Sequence, residues 1–122
     1  MKKIPILLAC LWSLSCFSQT EIKIEDAKNH VGDSVKICSR IYDAKFITRH
    51  RGAPTFLNVG EKYPNARLRL VIWAEVREQF DVKPEEFYKG RNVCVYGRIN
   101  LFRGRPEIVI TSPDQIVETI AK

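Results

Sequence analysis

The stretch Ser34-Val35-Lys36-Ile37-Cys38-Ser39-Arg40-Ile41-Tyr42-Asp43-Ala44-Lys45-Phe46 decides how this chain folds. Val35, Ile37 and Ile41 fall on one parity, while Lys36, Arg40 and Tyr42 fall on the other. Such alternation is the mark of a half-buried β-strand, whose successive side chains project to opposite faces. A common strand runs to only about 5–6 residues. One spanning Ser34 to Phe46 must bend and pair with two neighbours, which favours a barrel over a flat sheet.

Upstream, Ile24 to Val31 reads as a short helix stopped by Gly32. Downstream, Ile47 to Pro54 is a basic loop, Thr55 to Val59 a second strand, and Gly60 to Ala66 a turn region containing Pro64-Asn65. Arg67 to Trp73 alternates cleanly as a third strand. Ala74 to Tyr88 is charged and partly helical, ending at Lys89-Gly90. Asn92 to Phe102 is a fourth strand, Arg103-Gly104-Arg105 a tight turn, and Glu107 to Thr111 a fifth strand. Ser112-Pro113-Asp114 then caps a final short helix, with Ser at the N-cap and Pro at the first helical position. Five short strands with a helix between the third and fourth match the OB plan, a five-stranded, partly open Greek-key barrel. An α+β sandwich would give the same string of elements.

The first segment reads as an address. Lys2 and Lys3 form a positive start, Ile4 to Phe17 a short apolar run, and Ser18-Gln19-Thr20 a small or polar close. This is the layout of a secretory signal peptide, too short for a permanent anchor. The expected division is residues 1–18 as signal and 19–122 as a single domain, exported to the periplasm or secreted, with no stable membrane insertion once the signal is removed. A lipoprotein reading competes, because Cys10 follows Leu7-Leu8-Ala9 and Cys16 follows Ser15. The first leaves a very short apolar run, and the second lacks a Leu three residues earlier.

Cleavage changes the charge and the cysteines. The chain carries 20 basic and 14 acidic residues, or +6; without Lys2 and Lys3 it carries 18 against 14, or +4. A balance this mild is met by solubility alone, so placement must carry any functional argument. Cys38 and Cys94 are the two cysteines left, and an oxidising compartment favours one disulfide. Cys38 lies opposite the parity of Val35, Ile37 and Ile41. Cys94 lies opposite that of Val93, Val95, Ile99 and Leu101. In an OB barrel the first and fourth strands are antiparallel neighbours, so both sulfurs would share the outer face. A closely approaching, non-hydrogen-bonded pair would suit the bond; unpaired thiols are the alternative. No CxxC pair or Cys/His cluster suggests zinc, and neither a metal nor another cofactor is expected.

OB modules bind ligands on the face of the second and third strands, rimmed by the loops joining strands one to two and four to five. The first loop supplies Arg49, His50 and Arg51. In the third strand Leu68, Leu70 and Ile72 point inward, which turns Arg67, Arg69, Val71 and Trp73 outward. In the second, Leu57 and Val59 point inward and Phe56 and Asn58 outward; the four–five loop adds Arg103 and Arg105. Guanidinium groups pair with phosphates and exposed rings stack on bases. The expected nucleic-acid contacts are therefore Arg49, Arg51, Phe56, Asn58, Arg67, Arg69, Trp73, Arg103 and Arg105. Taken singly, each has a plain reading: an Arg on a strand is a solvated face, Trp73 a core lid, Arg103-Gly104-Arg105 a hairpin turn. Joint placement on one surface is what those readings leave unexplained. Acidic residues gather elsewhere, at Glu75, Glu78, Asp81, Glu85 and Glu86.

The segment Gly52-Ala53-Pro54-Thr55-Phe56-Leu57-Asn58-Val59-Gly60-Glu61-Lys62-Tyr63-Pro64 resembles the G-x-P-T-F-L-N-x-G-x-x-Y-P segment of small bacterial OB-fold nucleic-acid-binding modules. These stand alone in exported proteins or are appended to nucleases. Tyr88 to Ile99 and Gly104 to Ile110 resemble that family's fourth and fifth strands, so the likeness runs from about Ile24 to Val117. The Phe-Leu pair also resembles strand two of anticodon-binding OB domains, where the aromatic ring stacks on a base. The resemblance implies a non-catalytic module whose partner is nucleic acid, single strands ahead of duplex, with Phe56 as a contact.

Two other classes stay open. Secreted nucleases of the staphylococcal type also use an OB barrel, but need clustered carboxylates for a divalent metal. On the expected face Asp43 and Glu61 stand isolated, and no Ser/His/Asp constellation or Walker loop occurs, so no catalytic residue is assigned. An envelope module binding a protein or another polyanion would use the same basic surface. Oligomeric state is not written in these motifs.

Overall fold

A computed structural model describes residues 19–119. The expected signal, residues 1–18, lies outside them. Mostly β-sheet with a few short helices, the chain places β1 (Thr20–Ile22), β2 (Ser34–Phe46), β3 (Thr55–Val59), β4 (Leu68–Ile72), β5 (Asn92–Arg98), β6 (Asn100–Phe102), β7 (Arg105–Val109) and β8 (Ile116–Glu118) in one eight-stranded sheet. The order is β6-β7-β4-β3-β2-β5-β8, with β1 beside β2. Helix α1 (Ala74–Arg77) and helix α2 (Pro84–Phe87) fill the connection between β4 and β5.

The long strand does pair twice. Ser34 to Arg40 runs antiparallel to β5, and Ile41 to Phe46 runs antiparallel to β3. The hand-over is marked by a bulge between Ile41 and Asp43, which inserts one extra residue and reverses the facing of everything beyond it. Ile41 therefore faces the core with Val59, while Asp43 pairs with Asn58 on the outer side and Ala44 packs inward with Leu57. Uninterrupted alternation would have sent Asp43 and Lys45 into the core.

Apolar parities from five strands meet inside. Val35, Ile37, Ile41, Leu57, Val59, Leu70, Ile72, Val93, Val95, Ile99, Ile108 and Ile110 are buried almost completely. Full burial of such a side chain contributes about 1.5–3 kcal/mol. The connection between β4 and β5 closes one end with Val76, Phe80, Phe87 and Tyr88, whose rings meet edge to face. Arg77 anchors it: the guanidinium sits 3.7 Å from the Phe46 ring centroid and pairs with Glu85 at 2.8 Å.

Several expected elements change. Eight strands are described where five were expected. The expected fourth strand is interrupted at buried Ile99, giving β5 and β6, and Leu101 is 53% exposed rather than inward. The fifth begins two residues early, at Arg105, because Arg103-Gly104 makes a two-residue hairpin with φ of 54° and 80°. The first helix is a 3-10 helix (Ile24–Asn29), and the last is a single 3-10 turn (Pro113–Gln115) leading into β8. Ser112 does cap that turn, with Gln115 closing a reciprocal capping box.

Cys38 and Cys94 are direct partners in the β2–β5 register, their Cα atoms 3.9 Å apart, and form a disulfide. That bond is consistent with an oxidising compartment. Among the described residues no helix is long and apolar enough to cross a membrane.

Candidate nucleic-acid interface

The outer faces of β3 and β4, with the β6–β7 hairpin and the turn after β3, enclose a groove. One part, about 460 Å³, is lined by Asp43, Lys45, Ile47, Phe56 and Tyr63; the next, about 280 Å³, by Phe102, Arg103, Arg105 and Glu107. Asn58, Tyr63 and Arg69 line both, so the two adjoin at these residues.

Arg69 is its centre. Opposite Asn58 on one side and Glu107 on the other, it donates to Glu107 Oε2 through Nε at 3.1 Å and Nη2 at 2.6 Å. Its guanidinium lies 4.3 Å from the Phe56 ring centroid and 5.3 Å from that of Phe102. Held by a carboxylate and two rings, the planar cation is fixed before any ligand arrives. Arg103 lies 5.2 Å from the same Phe102 ring and stays exposed. Arg105 donates from Nη1 to the Pro64 carbonyl, tying the hairpin to the turn after β3.

That turn is wired from below. Asn58, only 8% exposed, donates Nδ2 to Asp43 Oδ1 at 2.6 Å, and Asp43 Oδ2 accepts from the Tyr63 amide at 3.2 Å. The bulge in β2 makes this possible by turning Asp43 outward. Asp43 is thus not isolated, and the face is not nearly free of carboxylates, since Glu107 also lines it. Four cations, Lys45, Arg69, Arg103 and Arg105, still outnumber the two acids.

The expected residues divide accordingly. Phe56, Asn58, Arg69, Arg103 and Arg105 come together. Arg67 does not: it lines a neighbouring cavity with Ile24, Glu25, Lys28 and Glu61, beyond Ala66 and Pro106, which line both. Arg49 and Arg51 are exposed on the loop before β3, where only Ile47 reaches the groove. Trp73, 40% exposed, has its ring against Gly52, and Gly52 O accepts from the Ala74 amide at 3.0 Å. Val71 is on the outer parity yet only 2% exposed, flanked by Phe56 and Val109.

Sequence reasoning passed over Tyr63, Phe102, Lys45 and Glu107. Tyr63 is 74% exposed and Phe102 46%. Tyr63 stood in the Tyr-Pro end of the quoted segment, where a signal existed. In the sequence Phe102 only ends a strand and Glu107 only starts one, and neither position carries a local signal of a site.

No family model matches this chain, and no curated protein matches it. Among solved structures, it is similar to a candidate aspartyl-tRNA synthetase from Leishmania major Friedlin, with TM-score 0.53 and 14% identity. That match covers 91% of this chain and 22% of the other. It is also similar to the S. pombe Stn1–Ten1 complex, with TM-score 0.48 and 24% identity, over 70% of this chain and 57% of that one. The chain therefore spans a fifth and rather more than half of those two chains; the first likeness is one of fold.

Proposed function

We propose that this chain is a non-catalytic nucleic-acid-binding module of OB type, acting outside the cytoplasm and holding a single strand in the groove. The observation that carries the reading is the convergence of Arg69, Arg103 and Lys45 with the rings of Phe56, Phe102 and Tyr63 on one concave face. Guanidinium groups take phosphates, and each base stacked on an aromatic ring is worth about 1–3 kcal/mol. Contacts of these kinds carry little sequence information.

The OB assignment is supported by chain continuity. β5 and β6 sit apart in the pairing order but are joined through Ile99 alone. Taken as one bent strand, they close the path β6-β7-β4-β3-β2-β5 into a ring of five strands. The groove then occupies the face that OB modules use. Export is supported by the signal-like residues 1–18 and by the disulfide. The non-enzymatic reading is supported by Asp43 and Glu107, which pair with separate partners on either side of Arg69 instead of clustering for a metal.

The test is binding of labelled single-stranded oligonucleotides at two salt concentrations, with Phe102→Ala/Arg103→Asn as the altered groove; Asn suits the positive φ of that turn position. Affinity should fall with a log–log slope of about −0.7 per phosphate neutralised. A flat salt response, with the variant binding as well as the parent, refutes the reading. The excess of four cations over two acids along the groove equally suits a second reading, an envelope module gripping a protein or another polyanion. Stronger competition by a heparin-like polymer than by oligonucleotide would select it.

A further inference from the structure

Asp43, Asn58, Arg69 and Glu107 stand opposite one another along one register line through β2, β3, β4 and β7. Paired residues project to the same face, so the four make a polar row across the floor of the groove. The cation in that row is already engaged. Arg69 gives both Nε and Nη2 to one oxygen of Glu107, whose side chain is 12% exposed. Asp43 accepts from Asn58 and from the Tyr63 amide, both uncharged donors. One cation thus lies among two carboxylates, and the floor offers a phosphate no net attraction. Turning Arg69 toward a phosphate would also strand Glu107, a sheltered charge left without its partner. The rim differs. Lys45, Arg103 and Arg105 are exposed, and among the described residues none of them is in an ion pair.

We infer that Arg69, though central, takes no phosphate: it is a positioning residue that holds Phe56 and Phe102 for stacking on bases, while Lys45, Arg103 and Arg105 take the phosphates. The inference rests on the nucleic-acid reading above and divides its cations into two roles. Phe56 comes from β3 on one side of β4, and Phe102 from β6, beyond β7, on the other. The guanidinium lies 4.3 Å and 5.3 Å from their ring centroids. A cation is attracted to the face of a ring, so Arg69 ties together two side chains whose strands do not pair with each other. Glu107 in turn fixes the guanidinium through two of its nitrogens, a restraint that a planar fork accepts and an ammonium does not. Lys45 stands opposite Phe56 at one end of this arrangement, and Arg103 follows Phe102 at the other.

The experiment measures binding of an oligothymidylate and of an abasic strand of equal length, each across a range of salt. Arg69→Gln should weaken oligothymidylate binding on the order of ten-fold, the worth of one stacked base, and leave abasic binding and the salt slope as they were. Arg69→Lys keeps the charge without the planar fork and should bind no better than Arg69→Gln. Arg103→Asn should weaken both strands and make the slope shallower by about 0.7, one phosphate's share. Glu107→Gln supplies a readout that leaves Arg69 in place: with its carboxylate gone, the freed cation should steepen the slope by about 0.7. The inference is overturned if Arg69→Gln makes the slope shallower by that amount and weakens the abasic strand equally. Full rescue by Arg69→Lys, or a slope unmoved in Glu107→Gln, overturns it as well. Each of these outcomes leaves the binding reading standing. No binding of either strand by the unaltered protein removes both.

Discussion

Arg69 Nη2 donates to Glu107 Oε2 at 2.6 Å across the parallel β4–β7 pair, with the two side chains 30% and 12% exposed. A charge pair this sheltered is weakened little by salt, and breaking it from one side strands the partner. Arg69→Ala should therefore lower unfolding free energy by about 1–3 kcal/mol, read from urea denaturation. Removing Glu107 as well should recover part of the loss. Losses that simply add would mean the two groups are not coupled.

Phe102 makes the opposite case. At 46% exposure its truncation leaves no cavity, so Phe102→Ala should move stability by no more than about 0.5 kcal/mol. Oligonucleotide binding should weaken by about 1–3 kcal/mol if the ring stacks on a base. Calorimetry and fluorescence anisotropy separate the two effects; stability loss with intact binding would reassign Phe102 to the fold.

The Cys38–Cys94 bond links strands on the far side of β2 from β4, across a sequence separation of 56. Reduction, or Cys38→Ser/Cys94→Ser, should cost about 2–4 kcal/mol through the freed unfolded chain. Binding at temperatures where the reduced protein stays folded should be unchanged. An equal melting temperature with and without reductant would remove the bond from the account of stability.

Gly97 lies where β5 crosses β7. A Cβ there would stand 2.6 Å from Ile108 Cγ2 and 3.0 Å from Gln115 Nε2. Ile108 is fully buried in the core, so Gly97→Ala should destabilise by about 1–3 kcal/mol through overpacking. Thermal unfolding decides it, and an unchanged midpoint would mean that the crossing is looser than described.

Glu85 is the acid-sensitive anchor of the connection between β4 and β5. Burial raises its carboxyl, but the Arg77 hydrogen bond, a backbone bond and the charges of Arg77 and Lys83 outweigh that and hold it below the ordinary glutamate value. A depressed folded value means stability that is present above the unfolded value and lost as pH falls through the folded one. Stability of the parent should thus decline in that acidic window, and Glu85→Gln should flatten this part of the decline. A variant with the same acid profile as the parent would place the sensitivity elsewhere.

Alternation carried most of the architecture. Val35, Ile37 and Ile41, then Leu68, Leu70 and Ile72, named the buried face because a strand with one wet side must repeat every second residue. The same parity placed Cys38 and Cys94 on matching faces, and their pairing follows. It misjudged Leu101, since parity counts only while the strand is unbroken and β5 yields to β6 at Ile99.

The groove was legible in part. Phe56, Asn58, Arg69, Arg103 and Arg105 were visible from facing alone, whereas Arg67 shares Arg69's parity and still ends in another cavity. Parity names a face but not a place along it. Once the strand begins at Leu68, Arg67 belongs to the preceding turn and follows that backbone.

By itself the sequence determined which residues are apolar, at what period they recur and where the chain turns; local sterics and hydrophobic burial act through neighbours a few positions apart. Only the tertiary structure decided that Asp43 faces outward beneath Tyr63, that Glu107 meets Arg69 and that the two lie in one row with Asn58. Those relations depend on a bulge and on the register of strands far apart in the chain, and hydrogen bonds between distant segments set both.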